Sequence, residues 1–411
     1  MERNMGAVPR LRFREFRDSG AWKKKILGDV VSRGNETFDP KTYSETPYLI
    51  ELENIEANTG RILGVSEIKE HMSLKTRFQA GDVLYGKLRP YLRKFARPTF
   101  NGICTSEIWV LRSTVVSSAF LFYLVQTERF ALSANVSSGS RMPRADWNFL
   151  TSEDFDIPQP AEQRKIADCL GSLDDLIAVE GRKLEALRRH KQGLMQQLFP
   201  RPGETVPMLR FPEFQRAGDW TYNQVGNFAS MSKGKGVSKT DIAKDGSIPC
   251  IRYAELYTHY GEVIHKVVSR TDLPQTDLML SLAEDVIVPA SGETRIDIAR
   301  ASCVLPEGVA LGSDLNVLRS DLHGPFFSYL LNSPLRYEIA RMAQGDTIAH
   351  LYPKQLSQVW LAYPQRAEQR KIANCLSTLD VRINAQASCL DVLRAHKKGL
   401  LQQLFPDLEA T

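Results

Sequence analysis

Two segments of this chain repeat one another almost residue for residue. Residues 161–200 read AEQRKIADCLGSLDDLIAVEGRKLEALRRHKQGLMQQLFP and residues 367–406 read AEQRKIANCLSTLDVRINAQASCLDVLRAHKKGLLQQLFP, with 24 identities in 40 positions, without a gap, at an offset of 367 − 161 = 206. A shorter pair lies upstream, because residues 8–16 and 206–214 share the pattern VPxLRFxEF, each followed by a tryptophan, Trp22 and Trp220. The chain is a tandem duplication. We call the repeated segments the frame, and the two halves should fold alike in these segments.

The segments between these repeats differ from each other in sequence. They span roughly 23–157 and 221–363, are similar in length and share little identity. Two matching frames that hold two different inserts suit a bipartite, asymmetric target better than a single active site. The duplication therefore favours a molecule with two reading domains over an enzyme with one catalytic pocket.

Apolar residues recur at heptad spacing through both long repeats. The first seam contains Ile166, Leu170, Leu173, Ile177, Leu184, Leu187, Leu194 and Leu198, and the second contains Ile372, Leu376, Leu379, Ile383, Leu390, Leu393, Leu400 and Leu404. Glu180 and Lys191 interrupt the first seam, and Gln386 and Lys397 interrupt the second at matching positions. A period near 3.5 predicts helices that pack along their length, as in a coiled coil. About 33 residues at about 1.5 Å each make a rod of roughly 50 Å.

The simplest partner for each predicted helix is the other one. We expect a long antiparallel two-helix coiled coil with the two inserts at opposite ends, which would act as a spacer of fixed length. The second helix has only the segment 8–16 left to match it, so the chain ends should lie close together in a pseudo-twofold molecule. The alternative is that each helix merely caps its own insert or mediates homodimerisation.

Both inserts have the pattern of an α/β domain. Short strand-like runs bounded by Gly, Ser or Pro lie at 82–85, 108–111, 285–288 and 315–318. A helix is predicted after each set, at 119–134 and 325–343. We therefore expect two α/β domains separated by the long helices, with boundaries at 1–157 for the first domain, 158–200 for the first helix, 201–363 for the second domain, and 364–411 for the second helix and the C-terminal tail.

Basic residues and polar loops within the inserts are candidate DNA contacts. Seven basic residues lie between Lys75 and Arg97 against one acid, Asp82, although the net charge of the whole chain is only +5. Arginine and glutamine pair with base edges, and lysine and glycine-rich loops approach phosphates. The candidate residues are Lys87, Arg89, Tyr91, Arg93, Lys94, Ser140, Arg141 and Arg144 in the first insert, and Lys233, Lys235, Lys239, Thr347 and His350 in the second. The alternative is a solvated basic face with ordinary surface loops.

The sequence contains no pattern that predicts a catalytic or metal site. The six cysteines form no C-x-x-C pair and do not cluster with histidine. There is no Pro-Pro dipeptide of the kind found in amino-methyltransferase motifs, and residues 234–240 lack P-loop spacing. The acidic pair Asp174 and Asp175 is interpreted as a solvated helix face. No apolar run approaches the roughly 18 residues of a membrane span, which leads us to expect a cytoplasmic protein.

These features together resemble the specificity (S) subunits of type I restriction-modification systems. The resemblance rests on the AEQRKIA helix entries at 161 and 367, the QQLFP exits, the GDVLYGKLRPY stretch at 81–91 and the PxLRFxEF openings. It covers nearly the whole chain. One departure is that residues 284–292 of the second insert, EDVIVPASG, lack the basic run found at 87–89 in the first.

The resemblance implies two target-recognition domains, each reading one half of an interrupted double-stranded DNA sequence, with the helices setting the gap. It also implies two methylation (M) subunits and two restriction (R) subunits as partners. S-adenosylmethionine, ATP and Mg are expected on those partners, and no cofactor and no catalytic activity are expected in this chain. A protein-binding coiled-coil scaffold is the alternative function, and a self-sufficient restriction enzyme is a third that the missing motifs argue against.

Overall fold

The computed structural model describes residues 6–41, 47–69, 72–138, 142–345 and 348–406. Contacts divide the chain into two compact units, of which the first contains the residues up to Gly181 and those from Ser388 onward, and the second contains Arg182–Ala387. Two long helices, Pro160–Leu198 and Arg366–Leu404, each have 39 residues. Each of these helices therefore contributes its two ends to different units.

The first unit is built from short strands and helices around two four-stranded sheets. Its strands are β1 (Lys23–Ile26), β2 (Ser32–Arg33), β3 (Thr37–Phe38), β4 (Tyr48–Ile50), β5 (Lys75–Phe78), β6 (Val83–Gly86), β7 (Phe95–Ala96), β8 (Gly102–Cys104), β9 (Ile108–Arg112), β10 (Ser137–Ser138), β11 (Arg144–Ala145) and β12 (Asp154–Ile157). Its helices are α1 (Leu27–Val30), α2 (Ser118–Leu124), α3 (Glu128–Asn135), α4 (Trp147–Ser152) and the start of α5 (Pro160–Leu198).

The strand order of one sheet is β2-β9-β6-β7 and that of the other is β3-β5-β8-β4. All pairs in the two sheets are antiparallel except β4 with β8. Strand β1 pairs with β12, and β10 pairs with β11. A core that includes Trp22, Tyr85 and Phe120 joins the first sheet to the ends of the two long helices that belong to this unit.

The second unit has a similar succession of short strands and helices, arranged around a five-stranded and a three-stranded sheet. Its strands are β13 (Thr221–Gln224), β14 (Ala229–Lys233), β15 (Ile248–Ile251), β16 (Val263–Ile264), β17 (Ser269–Thr271), β18 (Asp285–Pro289), β19 (Ser291–Gly292), β20 (Ser302–Val304), β21 (Ala310–Leu311), β22 (Leu315–Ser320), β23 (Ala349–His350) and β24 (Trp360–Tyr363). Its helices are α6 (Glu255–Thr258), α7 (Arg295–Ile298), α8 (Gly324–Leu331), α9 (Leu335–Met342), α10 (Pro353–Ser357) and the start of α11 (Arg366–Leu404). The larger sheet has the order β14-β22-β18-β20-β16 and the smaller one β17-β15-β21, while β13 pairs with β24 and β19 with β23.

The predicted α/β class and the predicted strands are confirmed. The four runs predicted as strands correspond to β6, β9, β18 and β22. Each predicted insert helix is in fact two helices, α2 with α3 and α8 with α9, and in this respect the prediction was wrong. Thr127 starts α3 by accepting a hydrogen bond from the backbone of Phe130, and Pro334 precedes α9, so both breaks follow from residues that start a new helix rather than continue one.

The long helices begin six residues before the first seam position. Proline is tolerated at the first position of a helix because its missing N–H has no helical partner there, and Pro160 starts α5 in this way. Each helix ends one residue before a Phe-Pro pair, as expected. All sixteen predicted seam residues are buried or half-buried.

Within each unit, the beginning of one long helix packs near the end of the other. In the first unit Ile166 and Leu170 share a hydrophobic cluster with Leu404, against which Leu400 packs. In the second unit Ile372 and Leu376 share one with Leu198, against which Leu194 packs. In each unit, therefore, residues from the beginning of one long helix and from the end of the other share one core.

Candidate nucleic-acid interface

The repeated sequence motifs contact each other in the same way in both units. The guanidinium of Arg12 donates two hydrogen bonds to the carboxylate of the buried Glu162, at 2.7 and 2.8 Å. In the second unit Arg210 donates two to Glu368, at 2.8 and 2.7 Å. The hydrogen bonds to these carboxylates raise the pKa of both arginines. Residues 8–16 and 206–214, which we call the straps, therefore each bind the start of one long helix.

Three further frame contacts have equivalents in both units. Gln163 accepts a hydrogen bond from the backbone of Ser117 and donates one to the carbonyl of Pro158. Gln369 does the same with His323 and Pro364. The other two contacts are the ion pairs Lys165–Glu15 and Lys371–Glu213, and the ring clusters Trp22–Phe120–Phe405 and Trp220–Phe326–Phe199. The residues repeated between the two halves are thus explained by the packing and hydrogen bonds that they make within the frame.

A polar cluster also interrupts each leucine seam. Tyr123 donates a hydrogen bond of 2.8 Å to Asp174, and Lys397 forms an ion pair with the same carboxylate at 2.6 Å. The second unit has the equivalent cluster of Tyr329, Asp380 and Lys191. Burial, followed by the nearby carboxylate charge, raises the pKa of each tyrosine, and burial raises the pKa of Asp380. Interpreting Asp174 as part of a solvated face was wrong, because it is the acceptor at the centre of this cluster.

Equivalent backbone bonds identify corresponding positions at one edge of each unit. In the first unit the backbone N–H of Lys87 donates to the carbonyl of Glu107, and that of Ala145 donates to the carbonyl of Lys87. In the second unit the N–H of Ala290 donates to the carbonyl of Asp314, and that of Leu351 donates to the carbonyl of Ala290. Arg144 thus corresponds to His350, Glu107 to Asp314, and the basic run 87–89 to residues 290–292.

We call this place the variable edge: residues 87–91, 107 and 144 in the first unit, and residues 290–292, 314 and 350 in the second. In the first unit it carries exposed Arg89 and Tyr91 and half-buried Lys87. Arg89 has a left-handed backbone with φ of 51°, a conformation that is uncommon for residues other than glycine. The N–H of Arg89 donates to the carbonyl of Pro143, which fixes the loop beside β11. The structure therefore brings the predicted Lys87 and Arg89 together with Arg144, and the predicted Tyr91 follows two residues after Arg89.

Arg144 is held by an acid that the sequence analysis did not select. Its Nε and Nη2 donate to the Glu107 carboxylate at 3.0 and 3.2 Å. The hydrogen bond to Glu107 raises the pKa of Arg144. A signal was present in the sequence, because Ser-Glu-Ile at 106–108 and Ser-Asp-Leu at 313–315 precede equivalent strands.

Two other predicted residues of the first unit have partners within the protein. Arg93 donates to the Glu128 carboxylate at 2.6 Å and to the carbonyl of Gln126 at 2.5 Å. The ammonium of Lys94 donates to the carbonyl of Leu52 at 2.6 Å. Lys75, counted in the basic run, is buried. Some residues of the basic run therefore bond within the protein, and others lie at the variable edge. DNA contact by Arg93 and Lys94 stays a prediction.

In the second unit an aromatic residue links two of the predicted positions. The Lys233 ammonium lies 5.1 Å from the ring centre of Tyr352, and the His350 ring stacks on the same tyrosine with ring centres 6.0 Å apart. Tyr352, 41% exposed, was not selected from the sequence; its position just before a Pro-started helix was the available signal. Lys235 donates to the carbonyl of Thr276, and Lys239 is exposed. The predicted contacts Ser140, Arg141 and Thr347 lie outside the described residues.

No group of three or more His, Cys, Asp or Glu side chains suited to a metal ion occurs among the residues that the structure describes. Within that same part of the chain, no helix combines the length and apolar character needed to cross a membrane.

Comparison with known proteins agrees with this two-unit architecture. Residues 217–388 match the family model described as the type I restriction modification DNA specificity domain. The MjaVIII specificity subunit of Methanocaldococcus jannaschii is 20% identical over 349 residues, which cover 79% of this chain and 76% of that protein. The S subunit of a type I system from M. genitalium has the same fold, with a TM-score of 0.60 and 16% identity over 98% of this chain and 100% of that one. A structure from work on assembly and conformational transition of the type I R-M system gives a TM-score of 0.56 and 21% identity, over 94% of this chain and 98% of that one.

The second unit thus matches a DNA specificity domain, and the frame contacts recur in the first unit. Over most of its length the chain is similar to specificity subunits of type I restriction-modification systems.

Proposed function

We propose that each unit reads one half of a bipartite, asymmetric DNA site. The observation that carries this proposal is the contrast between the frame and the variable edge. The frame contacts of Glu162, Gln163 and Lys165 recur at Glu368, Gln369 and Lys371. At the variable edge, by contrast, Lys87, Arg89 and Arg144 are replaced by Ala290, Gly292 and His350. Two different half-sites require two domains that are held by the same contacts but present different side chains to the DNA.

The long helices are proposed to set the gap between the half-sites as an antiparallel coiled coil. The proposal is supported by the clusters that the beginning of one long helix shares with the end of the other inside each unit. The strap contacts support pseudo-twofold closure with the chain ends close together, because Leu11 donates from its backbone to Gln403 at 2.9 Å, as Leu209 does to Gln197. In this proposal residues 1–157 and 201–363 are the target-recognition domains, and residues 158–200 and 364–411 form the spacer.

The proposed complex contains two methylation and two restriction subunits, with S-adenosylmethionine, ATP and Mg bound to those partners. The chain itself is proposed to be non-catalytic and to dock the methylation subunits along its helices. Methyl transfer by the purified chain alone would contradict this part of the proposal.

The salt dependence of DNA binding distinguishes a DNA-recognition subunit from a protein-binding scaffold. Contacts to phosphates release counterions, so the affinity for duplex DNA should fall steeply as salt rises. The assay is a titration of labelled duplex with the chain assembled with its methylation subunits, over a salt series. Methylated sites in host DNA should consist of two fixed half-sites separated by a constant gap. Binding that is absent at low salt, or methylation without a bipartite site, would refute the proposal.

A further inference from the structure

The side chains at the variable edge differ in how they are held. Arg144 lies on the short strand β11, and its backbone forms an isolated bridge with Leu88. Glu107, which precedes β9, both accepts the backbone N–H of Lys87 and binds the Arg144 guanidinium. The arginine is therefore fixed at its backbone and at its charged end, although its side chain is 45% exposed.

The way Glu107 binds Arg144 leaves one edge of the guanidinium facing outward from the pair. The two hydrogen bonds to Glu107 use Nε and one hydrogen of Nη2. Of the five guanidinium donors, the two on Nη1 and one on Nη2 have no other partner among the described residues. One hydrogen on each of these nitrogens forms a parallel pair, and such a pair matches two neighbouring acceptors.

Guanine presents two such acceptors in the major groove, O6 and N7, and a phosphate group presents two as well. The Glu107 carboxylate opposes the arginine charge, which weakens attraction to a phosphate but leaves the directions of the free donors fixed. A guanidinium that is held in a fixed orientation, with its charge largely balanced by a carboxylate, is better suited to recognise a base edge than to bind a polyanion. Arg89 is exposed and has no acid partner among the residues that the structure describes, so it is better placed to bind phosphate.

Resting on the proposed function, we propose that Arg144 is a specificity-determining residue of the first half-site, where it binds a guanine. We further propose that Glu107 is the positioning residue for its guanidinium. The second unit has His350 and Asp314 at the corresponding positions. A histidine ring lacks the parallel pair of donors, so the second half-site should not require guanine at the equivalent position.

The test compares variants of the full chain assembled with its methylation subunits, using a duplex library randomised in both half-sites. Sequencing of methylated products gives the base preference at each position. Arg144→Gln should reduce the preference for guanine at one position of the first half-site by about tenfold to a hundredfold. Arg144→Lys keeps the charge but not the paired donors, and should reduce the same preference while nonspecific affinity is retained.

Glu107→Gln separates positioning from charge. Removing the acid should leave or increase affinity for random DNA, since a negative charge is lost, and yet reduce discrimination at the same base position. Arg341→Gln is the matched control, because it removes another exposed arginine paired with a glutamate, Glu338. That control should leave both half-sites unchanged. Thermal unfolding of each variant confirms that the unit remains folded.

Two results would decide against the inference, and a third would decide against the proposed function. If Arg144→Gln weakened binding to all sequences equally and lowered the salt slope by about one, Arg144 would be a phosphate contact. If Glu107→Gln left the base preference unchanged, Glu107 would have no positioning role. A wild-type complex without any bipartite preference would instead refute the proposed function itself, which keeps the two failures distinct.

Discussion

The ammonium group of Lys397 lies 2.6 Å from the carboxylate of Asp174, and both residues belong to the first unit. Lys397 comes from the end of the second long helix and Asp174 from the first, so this ion pair joins two segments far apart in sequence. The equivalent pair, Lys191 with Asp380, also lies at 2.6 Å in the second unit. A polar pair in an apolar seam is a known means of fixing helix register, because any shift would leave both charges unpaired.

We expect Lys397→Ala to destabilise the first unit. The side chain of Lys397 is 12% exposed and that of Asp174 is 29% exposed, so the variant leaves a partly buried carboxylate without its cation. The expected loss is about 1–3 kcal/mol, between the values for exposed and buried pairs. Denaturant unfolding measures it. Arg394→Ala, which removes a more exposed arginine on the same helix at 3.7 Å from Asp391, should have little effect; equal losses in the two variants would contradict a special role for Lys397.

Replacement of Glu162 tests the strap. The side chains of Arg12 and Glu162 are 7% and 1% exposed, and Trp22 also donates to this carboxylate at 3.2 Å. Glu162→Ala should therefore cost about 3–5 kcal/mol, as for other buried pairs from which one partner is removed. The measurement is the free energy of unfolding in urea. An exposed strap variant, Glu15→Gln, provides the control. A loss below about 1 kcal/mol for Glu162→Ala would show that the ion pair is not needed for stability.

His323 predicts a specific pH dependence. It precedes α8, its Nδ1 is buried without a hydrogen-bond partner among the described residues, and burial lowers its pKa below the ordinary 6.5. Glu284 opposes this effect, whereas Arg366 and Arg370 add to it. The unfolded chain therefore binds a proton at a higher pH than the folded chain does.

Stability contributed by neutral His323 should accordingly rise as pH increases toward about 6.5 and remain constant above it. The measurement is the unfolding free energy of wild type and of His323→Asn between about pH 5 and pH 8. The wild type should lose more stability than the variant on acidification. Parallel pH profiles would exclude His323 as the cause.

A length change in the helices tests the proposed spacer. Seven residues inserted after Gly181 and after Ala387 would lengthen both helices by about 10 Å, equal to about three base pairs. The required gap should increase by that amount while both half-site sequences are retained. Methylation of a library with variable gaps measures the change. A variant that folds and assembles but keeps the original gap would refute the spacer role.

The long helices show how far sequence reasoning extended. A period of 3.5 is a property of neighbouring residues on one helix face, and all sixteen positions that it selects are buried or half-buried. Their role as the seam of a helix pair stays a prediction. Four strands, β6, β9, β18 and β22, were predicted from short apolar runs bounded by Gly, Ser or Pro. The splits at Thr127 and Pro334 were missed, since apolar residues continue across both breaks and conceal the local start signals.

The candidate interface was predicted less completely than the frame. Lys87, Arg89 and Arg144 were selected by charge alone, and the fold brings them together through bonds between β11 and the loop after β6. Glu107 and Tyr352 were missed because their importance depends on which side chain each one contacts. Charge in the sequence did not distinguish Lys94, bonded internally to Leu52, from Arg89, which is exposed.

The sequence by itself determined the duplication, the heptad helices, the α/β character of the inserts and the resemblance to a family. These follow from local periodicity and from identity between distant segments. Only the tertiary structure decided that Arg12 pairs with Glu162, that Lys397 pairs with Asp174, and that Arg144 corresponds to His350. The physical reason is that hydrogen bonds and ion pairs require contact within a few ångströms, and residues more than a hundred positions apart reach that distance only after the chain has folded.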